Sequence, residues 1–116
     1  MTGSAASGGN LSVAHRELVA LVARLDAAVG DARDAAEVRA LTARIAETDR
    51  RVTAIGRALL AEQTAGLSAA AAEISAAIPR VEEALDRAGD MQAALAALSG
   101  VLGLCDKAIG IVRGGA

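Results

Sequence analysis

Apolar residues from Val38 to Leu59 and from Met91 to Val112 recur at alternating intervals of three and four without a miss. That interval belongs to a helix burying one stripe, and a strand cannot hold it, because a strand repeats every second residue. The first run is Val38, Leu41, Ile45, Thr48, Val52, Ile55 and Leu59; the second is Met91, Leu95, Leu98, Leu102, Cys105, Ile109 and Val112. At about 100° per residue the second set covers a stripe only about 80° wide. Helices so one-sided must be covered, by each other or by a partner.

The remaining helices follow from caps and breakers. Leu11, Leu18, Val22, Leu25 and Val29, widened by Ala14, Leu21 and Ala28, predict a helix over 11–29, with Asn10 as its N-cap and Gly30 at its end. Asp34 followed three residues later by Glu37 has the form of a capping box. The helix it opens carries Glu47 and Arg51 as an i, i+4 pair on its flank. The stripe then shifts by a modest angle through Leu60, Gln63, Leu67, Ala70, Ile74, Ile78, Val81 and Leu85. Gly66 interrupts this region, and the near-continuous stripe favours passage through it, with Ser68 as the cap if a new helix starts there. Pro79 must kink its helix or stand in the first turn. Glu83 and Arg87 support the last turn, and Gly89-Asp90 reads as a stop and a cap before a helix over 91–112.

No strand pattern appears. The expected fold is all-α: an antiparallel bundle of four helices with coiled-coil-like heptad packing, or three helices with one long central helix from 35 to 78 or beyond. Residues 1–10 read as a flexible leader and 11–113 as the helical domain. The 53% hydrophobic content overstates the core, because alanine supplies about a quarter of the chain and Phe, Tyr and Trp are absent. One aromatic side chain buries ~150–250 Å², so this core depends on Leu, Val and Ile set close together by Ala. A core so thin gains from a partner.

Charge and reactive residues exclude more than they suggest. A net charge of −2 and a pI near 5.3 give no broad field for nucleic acid or anionic lipid. Arg39, Arg50 and Arg57 share the face opposite the α-helical seam and form a candidate anion contact. Asp49 beside them and the lack of any aromatic to stack on a base speak against nucleic acid. His15 is the only histidine, without a carboxylate at ligand spacing, so no metal or cofactor site is expected. Glu82 and Glu83 diverge by about 100° and are read as solvated. Glu73, alone in an almost uncharged stretch, is read as exposed or as a contact to an Arg on a neighbouring helix or partner. Cys105, the only cysteine, falls on the apolar stripe and reads as an inert core thiol.

The first ten residues, MTGSAASGGN, have neither a basic nor an apolar signal region, so a cytoplasmic protein is expected, with signal-less export as the other route. Within 91–112, Asp106 and Lys107 interrupt the apolar run after the thirteen residues from Ala93 to Cys105, short of the ~20 that span a bilayer.

Gly100, Gly103 and Gly110 stand out, because three glycines in one helix give up about 3 kcal/mol of propensity. On the side of that helix away from the apolar stripe, Ala96, Gly103 and Gly110 repeat every seven residues, near Ser99, Asp106 and Lys107. Small residues at that spacing let backbones approach, within the monomer against helix 1 or 3, between copies, or in lipid. These features predict a non-enzymatic module that binds another copy or another helical protein through Ala96, Gly100, Gly103 and Gly110, with Leu95, Leu98 and Leu102. The alternative is a membrane-active protein that inserts 64–78 and 91–112 as an apolar hairpin.

Overall fold

The computed structural model describes residues 10–87 and 90–114. They form an all-α bundle of four helices: α1 (Leu11–Val29), α2 (Ala35–Ala58), α3 (Ala65–Asp86) and α4 (Met91–Gly114). The sequence expectation on residues 1–9 and on Gly89 lies outside the described residues.

Each start is set by a short polar side chain taking an otherwise unpaired amide. Asn10 Oδ1 accepts from the Ser12 amide at 2.8 Å, Asp34 Oδ1 from the Glu37 amide at 2.9 Å, and Thr64 Oγ1 from the Leu67 amide at 3.1 Å. Asp90 Oδ1 accepts from the Ala93 amide at 3.4 Å. Glu37 reaches back as the capping box requires, although its Oε1 takes the amide of Arg33, one residue before the cap, at 2.8 Å.

Chain direction alternates, and the cross-helix contacts fix who lies beside whom. His15, early in α1, sits over Gly56, late in α2, and Lys107, late in α4, pairs with Glu73, early in α3. α1 with α2, and α3 with α4, are therefore antiparallel hairpins. Between hairpins the contacts advance together: Ser75 donates to Glu17, and Arg24 pairs with Asp86 at 2.7 Å, so α1 runs parallel to α3. Arg51 with Asp106 likewise sets late α2 beside late α4. The diagonal pairs, α1 with α4 and α2 with α3, bring no Cα atoms within 8 Å of each other. Two hairpins are thus laid side by side in the same orientation.

The connection from α2 to α3 corrects the reading of Gly66. The helix stops after Ala58, six residues carry the chain across the bundle, and Thr64, not Ser68, caps α3, with Gly66 in its first turn. Six extended residues reach ~20 Å, enough to cross the diagonal between helices packed 8–10 Å apart. α3 then runs through Pro79, whose missing N–H leaves the Ser75 carbonyl without its helical bond.

The core is aliphatic and closely filled. Leu11, Ala14, Leu18, Leu21, Leu25 and Ala28 form the buried seam of α1, and Val22 and Val29 pack only at its edge. In α4 the buried set is Met91, Ala94, Leu98, Val101, Leu102, Cys105 and Ala108, while Leu95, Ile109 and Val112 are half-buried. The seam is rotated toward alanine because α3 and α4 form the most extensive helix pair, and α3 likewise buries Ala70, Ala71 and Ala84. Thr48 is fully buried and donates to the Arg44 carbonyl oxygen at 2.7 Å, so its hydroxyl is satisfied within its own turn.

Candidate functional site

The outer face of α4 is where the structure departs furthest from what one chain needs. Ala96, Gly100, Gly103 and Gly110 are all exposed. A Cβ built on Gly100, Gly103 or Gly110 meets nothing within 4 Å, and the same holds for Gly114. The glycines therefore do not let α4 approach another helix of its own bundle; the buried alanines do that. Positions 96, 100, 103, 107, 110 and 114 step by four and three, forming a second seam about 180° from the buried one.

Of the leucines expected to join this surface, Leu98 and Leu102 are in the monomer core and Leu95 is half-buried on its flank. They pack against the bundle because they lie on the buried side of α4, leaving only the small residues outside.

Two of the three charges on α4, Asp106 and Lys107, are paired with its two neighbours. Lys107, on the outer seam, is drawn toward α3 by Glu73 at 3.0 Å. Glu73 thus meets the single lysine rather than an arginine. Asp106 is held by Arg51 of α2, with Nε to Oδ1 at 2.9 Å and Nη2 to Oδ2 at 3.1 Å. Arg51 accordingly does not form the expected i, i+4 ion pair; the Glu47 carboxylate takes Arg44 at 3.1 Å, and Arg51 Nη1 donates to the Glu47 carbonyl oxygen. Arg87 similarly pairs with Asp90 at 3.3 Å instead of Glu83.

Arg39, Arg50 and Arg57 are exposed on the outside of α2 and make no ion pair among the described residues. Helix geometry spreads them over ~27 Å in one line, too far apart to converge on a single phosphate. His15 is half-buried at the α1–α2 contact. Cys105 is fully buried, and burial pushes its thiol up to about 12, so it is protonated and shielded at neutral pH.

A cleft of about 460 Å³ opens at the end of the bundle where α1 and α3 finish and α2 and α4 begin. Its arginines are engaged, Arg24 with Asp86, Arg33 with Glu37 and Arg87 with Asp90, and Asp31 adds a fourth carboxylate, so it offers no concentration of positive charge. Among the described residues no group of three or more His, Cys, Asp or Glu is placed to hold a metal.

By length and composition α4 is long and apolar enough to cross a membrane, despite Asp106 and Lys107. The same criterion admits core helices of soluble proteins. No protein-family model, curated protein or solved structure matches the chain. The physical features of α4 therefore carry the functional reading.

Proposed function

We propose that the protein is a non-enzymatic helical module that binds a second helix along the outer seam of α4, supplied by another copy of the chain or by another helical protein. The observation that carries this reading is the open space around Gly100, Gly103 and Gly110. Each glycine costs a helix about 1 kcal/mol relative to alanine. Elsewhere on the bundle alanine fills such positions: Ala20, Ala23 and Ala27 on α1, and Ala65, Ala69 and Ala76 on α3, are exposed. A partner helix resting on α4 supplies the missing reason, because glycine lets two backbones come close enough for Cα–H···O contacts. The Glu73 pair supports this by holding Lys107 to one side of the seam.

The test is size-exclusion chromatography with light scattering, detected by refractive index because the chain has no Trp or Tyr. Gly103→Leu and Gly110→Leu fill the seam without touching the core. Assembly should disappear while helicity by circular dichroism stays intact; normal assembly in both variants rejects the seam as the interface.

The length and apolar character of α4 favour one second reading, a bundle that opens to insert α3 and α4 into lipid. Residues 64–78 and 91–112 contain only Glu73, Asp106 and Lys107 as charges, each already paired. Flotation with liposomes distinguishes the readings. A chain that floats with neither neutral nor anionic vesicles has no such activity.

A further inference from the structure

Three connectors join the four helices, and two have the composition of turns. Gly30, Asp31 and Asp34 lie between α1 and α2, and Gly89 and Asp90 precede α4. The third reads Leu59-Leu60-Ala61-Glu62-Gln63-Thr64. Its first five residues are strong helix formers, and it contains no Gly, Pro, Asn or Asp. Yet the helix ends before it, and its two leucines stay outside the core: Leu60 is 96% exposed and Leu59 37%. Local preference and tertiary structure disagree at this connector.

Were 59–64 helical, α2 and α3 would join into one helix over 35–86. At about 100° per residue the buried faces of the two halves then centre about 80° apart, still on one side of that helix. Such a helix cannot fold back to set α3 beside α1 of its own chain. The surfaces left open are those where the hairpins meet, α1 against α3 and α2 against α4, with Arg24, Asp86, Arg51 and Asp106 among them. A second copy opened in the same way presents the same surfaces.

We infer that the chain exchanges its α3–α4 hairpin with a second copy, with Leu59–Thr64 as the hinge that becomes helical. Every contact between hairpins is re-formed between copies, so monomer and exchanged dimer differ chiefly at the hinge. The dimer gains helical hydrogen bonds across 59–64 and brings Leu59 and Leu60 of both copies toward the two-fold axis. The monomer keeps the translational freedom of a separate chain, so exchange depends on concentration. It is also slow, because the hairpins must part before they can trade. The outer seam of α4 plays no part in it.

The full chain is refolded at high and at low concentration and sized by light scattering after chromatography. Wild type should yield a dimer only from the concentrated sample, persisting after dilution. Thr64→Ala, which removes the cap that starts α3 in the monomer and favours helix through the hinge, should raise the dimer fraction several-fold. Glu62→Pro breaks the helical hinge at an amide that makes no hydrogen bond among the described residues, and should leave a folded monomer. Insertion of Gly-Ser-Gly between Glu62 and Gln63 provides the same test if that proline impairs folding. Gly103→Leu should leave the exchanged dimer unchanged, which separates this outcome from assembly through α4. A dimer fraction unaffected by proline and insertion overturns the inference, as does the absence of dimer from both wild type and Thr64→Ala at high concentration.

Discussion

Arg51 grips both carboxylate oxygens of Asp106, at 2.9 and 3.1 Å, while a third donor of the same guanidinium bonds the Glu47 carbonyl oxygen at 2.9 Å. The pair ties α2 to α4 beside the buried Cys105, and the hydrogen bond to Asp106 is the main cause raising the arginine's pKa above its ordinary value. Paired with two oxygens and anchored on its own helix, this arginine is better held than most surface ion-pair partners.

Arg51→Ala should therefore destabilise the bundle by about 1 kcal/mol, at the upper end for an exposed pair. Arg51→Lys should recover little, because an ammonium cannot span two oxygens as a planar fork does. Urea denaturation followed by far-ultraviolet circular dichroism measures both, and the deficit should shrink in high salt.

Gly100→Ala, Gly103→Ala and Gly110→Ala should each stabilise the isolated bundle by up to about 1 kcal/mol, since the new methyl meets no neighbour and the helix gains propensity. Gly56→Ala should gain less, because its Cβ would lie 3.1 Å from His15 Nε2. Thermal melts of the four variants test the contrast. Equal gains at all four positions would mean that His15 yields freely.

The Cys105 thiol should resist maleimide in the native bundle and react once urea unfolds it. Its ionisation is shifted by burial from 9.0 to about 12, so the folded state binds its proton more tightly than the unfolded state. The stabilising contribution is complete below pH 9.0 and is lost as pH rises toward about 12. Cys105→Ala should flatten that alkaline fall, as read from urea midpoints across the range.

Leu18→Ala should cost ~2–5 kcal/mol, the range for removing a fully buried leucine. Val19→Ala next to it should change little, because Val19 is 49% exposed where Leu18 is completely covered. The same chemical denaturation decides, with Leu18 marking the seam that joins α1 to both its neighbours.

Helix ends made by a local side chain were legible except at Thr64, which caps α3 where the pattern favours passage through Gly66 or a start at Ser68. Asn10, Gly30, Asp34 and Glu37 act within one turn, and their spacing alone carries the information. The end of α2 was not legible, because Leu59 to Gln63 favour helix and the stripe shifts instead of stopping. Nor was the rotation of α4, since a pattern reading prefers Leu95 and Ile109 over Ala94 and Ala108, whereas closely approaching helices prefer the alanines inside. The glycine repeat and its place away from the apolar stripe were visible; that no other helix of the bundle covers it came only with the tertiary fold. Ion-pair partners failed for the same reason: Glu47 was four residues from Arg51, but Asp106 arrived only with the tertiary fold.

The imidazole of His15, resting over Gly56, is the only aromatic ring in a chain without Phe, Tyr or Trp. A nuclear magnetic resonance spectrum of this protein therefore has one source of side-chain ring current. Protons displaced by it belong around the α1–α2 contact, with the Gly56 α-protons foremost among them. Their shifts would follow that contact through heating, mutation or assembly without any label placed in the core.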